Sequence, residues 1–265
     1  MRDQETSNRE AELTAIPRIG SGDWLDPKSV NADCLIEMPT MPAQSVDCVM
    51  TDLPYGTTDC KWDSMIPLAP LWAEWKRLLK PGGAIVLTAC QPFTSALVMS
   101  NVKNFKTSWV WNKKQSGGFA TAKYHPLKVT EDVLVFGFGT VKYFPQMRKG
   151  VMRNKGGAKP QNEIQSGLKP LHTTRNDQYY PTNIIEIVNP RIGSVHPTQK
   201  PVELMRYLER TYTNPGDMVL DVTCGSGTTC LAAMLEGRKS IGIEKEQKYA
   251  EIAINRIHEA RGLGV

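Results

Sequence analysis

Apolar and polar positions along most of this chain follow one of two periods, and each change of period marks an element. Residues 45–51 (SVDCVMT) are a short apolar run fed by a turn and predict a strand, which ends at Asp52 where a Leu-Pro-Tyr-Gly turn begins. Residues 68–79 (LAPLWAEWKRLL) carry apolar side chains at helical spacing, with Pro70 tolerated in the first turn, and Lys80-Pro81-Gly82-Gly83 predicts the helix stop. Residues 84–89 (AIVLTA) then predict a buried strand, so that strand, helix and strand form one crossover unit of a parallel sheet. Strands follow at 107–111 and 132–138. After a long interruption the rhythm returns: a helix at 202–212, a strand at 218–222, a glycine turn, a helix at 228–235, a strand at 240–244 and a helix at 247–260. The two exceptions are residues 1–19, which mix charges without an apolar period and predict a flexible tail, and residues 139–184. The second stretch is rich in Gly, Lys, Asn, Gln and Pro and reads as an insertion in a single domain covering 20–265.

Charge sharpens that division. The chain carries a net +5, but the segment 103–175 holds 14 Lys and Arg against Glu131, Asp132 and Glu163; it therefore carries +11 and leaves −6 for the remainder. Such concentration suits a face that binds a polyanion, and it also suits a solvated basic loop. Lys113, Lys114, Lys123, Arg148, Lys149, Arg153 and Lys155 are the cations expected at phosphates, whereas Trp109 and Trp111 alternate along an apparent strand and are expected in the core. No apolar run reaches the length of a membrane helix, and the first 14 residues lack the apolar centre of a signal peptide, so a cytoplasmic location without membrane contact is expected. The six cysteines form no C-x-x-C pair and the four histidines are scattered singly, a pattern that predicts reduced thiols and no metal.

Candidate chemistry clusters at two turns. In Asp221-Val-Thr-Cys-Gly225-Ser226-Gly227-Thr228-Thr, two glycines occupy the tight turn between a strand and the helix behind it, where backbone can approach a ligand closely. Glu244 ends the next strand and can accept hydrogen bonds from both hydroxyls of a ribose. Thr228 follows Gly227 where a phosphate loop would have lysine, and Cys230 stands where a dinucleotide fingerprint would have its third glycine. S-adenosylmethionine has no phosphate, and Asp221 suits its ammonium better than it would suit a pyrophosphate. The other turn is Asp52-Leu53-Pro54-Tyr55, just past the end of a strand, at the edge where open α/β sheets bind ligands.

Three motifs in order, Asp52-Leu-Pro-Tyr55-Gly-Thr-Thr, His196-Pro-Thr-Gln-Lys200-Pro201 and Asp221-x-x-x-Gly225-Ser-Gly227-Thr-Thr, resemble those of the amino-group (N6-adenine and N4-cytosine) DNA methyltransferases of the beta order, in which the catalytic motif precedes the cofactor motif. The resemblance spans roughly residues 32–257. It implies a doubly wound, mostly parallel, seven-stranded Rossmann-like sheet with an inserted target-recognition segment, S-adenosylmethionine as cofactor and double-stranded DNA as partner, and it allows a homodimer. It also implies roles. The Asp52 carboxylate and the carbonyl of Leu53 would accept the hydrogens of an exocyclic amine and favour an sp³-like nitrogen, while Tyr55 offers a face to a base that has left the duplex. The family most often has proline where Leu53 stands; Pro54 still holds residue 53 in extended geometry, so the carbonyl keeps its role. Lys200 resembles a residue that approaches the cofactor's carboxylate, and equally marks a helix start before Pro201. Asn31-Ala-Asp33-Cys34 looks like the element that touches the cofactor's adenine, and also reads as a helix cap at Asp33. The set expected around the cofactor is therefore Asp33, Cys34, Asp52, Lys200, Asp221, Gly225, Ser226, Gly227, Thr228 and Glu244.

Relatives that act on cytosine N4 more often carry serine at the Asp52 position, so adenine N6 is the favoured target and cytosine N4 the alternative. A nucleic-acid-binding module without turnover, and a methyltransferase acting on RNA or protein, are the competing classes. No nuclease or helicase motif is present, and a free-standing modification enzyme is expected rather than a fused restriction-modification system.

Overall fold

The computed structural model describes residues 28–56, 64–155, 174–189 and 199–262. The expected tail at 1–19, the His196-Pro197-Thr198 stretch and residues 156–173 of the insertion lie outside the described residues. In chain order the elements are β1 (Lys28–Asn31), α1 (Cys34–Glu37), β2 (Val46–Thr51), α2 (Leu68–Leu78), β3 (Leu79–Ala89), α3 (Phe93–Ser100), β4 (Phe105–Gly117) and β5 (Lys128–Phe136). They continue with β6 (Arg148–Lys155), β7 (Thr174–Tyr179), β8 (Ile184–Glu186), α4 (Val202–Tyr212), β9 (Met218–Asp221), α5 (Thr228–Leu235), β10 (Lys239–Glu244) and α6 (Gln247–Gly262). The chain divides into two compact units, Met1–Phe144 with Ile184–Val265, and Pro145–Asn183.

The first unit is α/β. Its sheet runs β1-β10-β9-β2-β3-β5-β4-β8 and is parallel except where β5 pairs with β3 and β4. Chain direction explains the layout. From β2 the chain crosses through α2 to β3 on one side, and from β9 it crosses through α5 to β10 on the other, so β2 and β9 meet where the winding reverses. At such a point the loops leaving neighbouring strand ends part and open a crevice. The Asp52 turn and the glycine turn leave from those two ends.

Alternation along the strands sends side chains to two cores. Ile85 and Leu87 of β3 join Leu71, Trp75, Leu78 and Leu97 of α2 and α3 on one face. Ala84 and Val86 join Trp109, Trp111, Val133 and Val135 on the other, beneath Leu204, Met205 and Leu208 of α4. Trp109 and Trp111 are core residues, as their spacing predicts, and their indole N–H groups donate to the Tyr212 hydroxyl and the Ile187 carbonyl, both at 2.8 Å.

Four features differ from the sequence-based expectation. The sheet has eight strands and not seven: β1 and β8 are edge strands of four and three residues, too short for any alternation to be read. Lys80-Pro81-Gly82-Gly83 is not a separate loop, because β3 begins at Leu79 and the register with β2 jumps from Val46↔Leu79 to Cys48↔Ala84 across it. A bulge thus absorbs the proline and the glycines inside the strand. The strand expected at 107–111 runs from Phe105 to Gly117, since its ladder with β5 continues through polar residues. Within the second unit, β6 and β7 pair antiparallel. The described side chains of β6 are all exposed, so that strand carries no apolar face to betray it in the sequence.

Gly227 fixes the glycine turn to the helical layer. Its φ of +76° suits glycine, and a Cβ there would stand 2.8 Å from Cβ and 3.1 Å from Cα of Ala253 on α6. Gly227→Ala combines left-handed strain with overpacking against backbone and is expected to lower the unfolding free energy by about 2–4 kcal/mol. Urea denaturation checks this, and an unchanged midpoint contradicts it.

Candidate active site

A cleft of about 530 Å³ opens at the carboxyl ends of β2 and β9. Around it stand Asp33, Cys34, Asp52, Leu53, Pro54, Tyr55, Lys200, Asp221, Gly225, Ser226, Thr228 and Glu244, which is every residue expected at the catalytic and cofactor sites except Gly227. Gly227 sits behind the turn as the N-cap of α5.

Asp52 is held from all sides. Its Oδ1 accepts the Tyr55 hydroxyl at 2.6 Å and the Thr88 hydroxyl, and its Oδ2 accepts Lys200 Nζ at 2.6 Å. Its backbone carbonyl accepts Thr223 Oγ1 at 3.0 Å. The carboxylate is thus fixed by its own turn, by the end of β3 and by the approach to α4, and its backbone carbonyl by the turn after β9. Charge-assisted bonds of this kind hold an acceptor in place without reorganisation. Burial, then the Asp52 charge, push the Tyr55 phenol well above its usual value, so it remains a proton donor to Asp52. The Tyr55 ring stacks on Phe93 with centroids 5.2 Å apart, and Lys200 Nζ lies 5.6 Å from its centroid. The Leu53 side chain is packed in the core, which anchors the turn at the position where the family's proline is missing.

A hydrogen-bonded chain joins the two strand ends. Thr51 Oγ1 donates to Asp221 Oδ1 at 2.7 Å and lies 2.7 Å from Thr223 Oγ1, which reaches the Asp52 carbonyl. At the end of β10, Glu244 accepts the Gly225 N–H at 2.8 Å on Oε2 and the Glu246 N–H at 2.9 Å on Oε1. Each oxygen retains acceptor capacity for a hydroxyl. Burial raises the Glu244 pKa against those backbone bonds. Asp33 caps α1 by accepting the Leu35 N–H at 2.9 Å, so the helix-start reading holds for it while it also lines the cleft. Burial and then Asp33 raise the Cys34 thiol to about 11, which keeps it protonated.

Lys200 stands on Asp52, although the resemblance directs it to a cofactor carboxylate. Burial lowers its pKa, but Asp52 and then Glu131 more than offset this and the net shift is upward, so it is a buried ammonium. Thr88, Glu131, Phe93, Thr51, Thr223 and Gln199 were not singled out by sequence. Thr51 adjoins the Asp52 motif and Thr223 and Gln199 lie inside the other two, where they could have been found; Thr88, Phe93 and Glu131 are delivered by β3, α3 and β5 and carry no local signal.

The basic residues divide. Lys113 is paired with Glu131 at 2.9 Å and mostly buried, and Lys114 is paired with Glu186 at 2.5 Å on the surface. Lys123 is exposed on the connection between β4 and β5. Arg148, Lys149 and Arg153 are exposed on β6 in the second unit; Lys155 ends that strand, and its side chain lies outside the described residues.

Comparison with known proteins gives a consistent picture. A family model for N6/N4-type DNA methylases matches residues 46–255. The chain is 30% identical over 250 residues to the DNA adenine methyltransferase YhdJ of Escherichia coli (strain K12), with 87% of this chain and 82% of that protein covered. The crystal structure of the M1.HpyAVI–SAM complex aligns with a TM-score of 0.60 at 26% identity, over 87% of this chain and 100% of that one. PvuII DNA methyltransferase, cytosine-N4-specific, aligns with a TM-score of 0.65 at 17% identity, over 87% and 86%, a likeness of fold.

Asp221 makes a pH test possible. Burial raises its carboxyl from 3.8 to about 6, against the hydrogen bonds from Thr229 and Thr51. The folded state therefore holds this proton more tightly than the unfolded chain. The associated stability is present below pH 3.8 and is lost as pH rises towards 6, a difference of roughly 3 kcal/mol. Urea midpoints measured from pH 4 to 7 are expected to fall less steeply in Asp221→Asn than in the native protein; identical slopes contradict the assignment.

Proposed function

Because the chain belongs to the N6/N4 DNA methylase family, we propose that it transfers the methyl group of S-adenosylmethionine to the exocyclic N6 of an adenine flipped out of double-stranded DNA. The carrying observation is the Asp52 carboxylate, fixed by Tyr55, Thr88 and Lys200 within the same cleft as the glycine turn and Glu244. When bound, S-adenosylmethionine supplies an electrophilic methyl group on a sulfonium. The residues fit it. Glu244 suits the ribose hydroxyls, Asp33 and Cys34 stand where its adenine would lie, and the Gly225-Ser226 backbone lets the molecule approach α5 at Thr228. Asp221 places a carboxylate for its ammonium.

The remaining work belongs to the base. An exocyclic amine is a poor nucleophile because its lone pair is delocalised into the ring. Asp52 and the Leu53 carbonyl draw its two hydrogens out of the ring plane and so favour the tetrahedral nitrogen that attacks. They act by position and charge rather than by removing a proton beforehand. Tyr55, backed by Phe93, gives the extruded base an aromatic surface. Aspartate rather than serine at position 52 supports adenine as the target, as does the 30% identity to an adenine methyltransferase. The exposure of Lys123, Arg148, Lys149 and Arg153 supports them as phosphate contacts, while Lys113 and Lys114 pair with carboxylates in this structure.

Mass spectrometry of nucleosides from DNA incubated with the protein and S-adenosylmethionine is expected to find N6-methyladenine. N4-methylcytosine as the sole product, or methyl transfer to RNA or protein alone, contradicts the proposal.

A further inference from the structure

Near Asp52 the cleft contains a carboxylate, Glu131, that the reaction as described does not use. Glu131 of β5 lies opposite Trp111 of β4, and its Oε1 accepts Lys113 Nζ at 2.9 Å. Its Oε2 is shut off from solvent and has no hydrogen-bond partner among the described residues, while Lys200 Nζ stands 3.5 Å away. A buried carboxylate oxygen held only by a loose ion pair is poorly satisfied and gains from a closer donor in some state of the protein.

Asp52 presents the opposite problem. Its Oδ1 already accepts two hydroxyls, and its Oδ2 accepts Lys200. An amine that takes Oδ2 must share it with an ammonium, just as the amine nitrogen itself becomes positive through methylation. Like charges at that separation repel strongly in a partly desolvated site. Lys200 can relieve this without leaving the cleft: Nζ needs to shift by only roughly 0.5–1 Å to come within hydrogen-bond range of Glu131 Oε2. The lysine stem is flexible, whereas Glu131 is held back by Lys113 and cannot come forward to meet it.

We propose that Lys200 is a movable counter-ion with two seats: it covers Asp52 Oδ2 in the empty site and passes to Glu131 Oε2 when the amine of the base takes Asp52. Glu131 is then a positioning residue, acting through Lys200. In the empty site the ammonium neutralises Asp52 and keeps it oriented. In the occupied site the same ammonium pairs with Glu131, and Asp52 is free to face the positive charge that methylation places on the amine. The inference rests on Asp52 as the acceptor of the amine hydrogens.

The test is a double-mutant cycle on the single-turnover rate of methyl transfer to DNA, using Glu131→Gln, Lys200→Met and the pair together. Glu131→Gln is expected to slow transfer about 10- to 100-fold, as loss of a charge-assisted partner implies, while DNA and cofactor dissociation constants stay within about threefold. In the Lys200→Met background there is no ammonium to move, and adding Glu131→Gln is expected to change the rate by less than about twofold. A purely structural Glu131 would instead give additive losses and weakened binding. Additive losses, or a native rate in Glu131→Gln, overturn the proposal. Should Glu131→Gln not fold, Glu131→Asp keeps the charge but retracts it, and slower transfer is expected; a native rate overturns the proposal equally. Absence of transfer by the native protein would instead refute the methyltransferase reading itself, so the two failures are distinguishable.

Discussion

Cys48 pairs with Val219 and Val49 with Leu220, and on this short parallel ladder between β2 and β9 the rest of the site depends. The two strands are some 170 residues apart in the chain, yet they are the neighbours from which the winding of the sheet departs in opposite directions. Without that pairing, Asp52 and Asp221 would be the ends of unrelated strands. With it, Thr51 and Thr223 can close a hydrogen-bonded chain from one carboxylate to the carbonyl of the other. Backbone geometry thereby forms the one cleft that is proposed to take both a reacting amine and a methyl donor.

Charge then does what the sheet cannot. The cleft holds Asp33, Asp52, Glu131, Asp221, Glu244 and Glu246 against Lys200 and Lys245, with Lys113 behind Glu131. Burial raises Asp221 and Glu244, whereas the two carboxylates beside Lys200 outweigh the burial that would discharge it. The half that suits a cationic cofactor is therefore rich in acceptors, and the half that suits the base has an ammonium set between two carboxylates. In the proposed reaction, this division would let one pocket hold a sulfonium and prepare a neutral amine to attack it.

Much of this was legible along the chain, for definable reasons. β2, α2, α4, α5 and the glycine turn carry strong local signals: an apolar run, a helical period, or glycines where the backbone must turn. Asp52, Tyr55, Asp221 and Glu244 follow because each ends or adjoins such an element. Thr88 and Glu131 were not legible: Thr88 comes to Asp52 because β3 pairs with β2 at Thr51↔Leu87, Glu131 reaches Lys200 from β5, and neither carries a signal in its own neighbourhood. The edge strands β1 and β8 were too short to show a period. Within the basic segment Lys113 looks like any other cation in sequence, and the β4–β5 ladder is what sets it beside Glu131.

The central claim is that Asp52 acts on the amine and not in assembling the site. The most direct measurement is single-turnover methyl transfer by Asp52→Asn, with S-adenosylmethionine and DNA affinities determined in parallel. Loss of transfer by about a thousandfold or more, with both affinities within a few fold of native, is the predicted result for a preorganised acceptor. Transfer at a near-native rate would contradict the account.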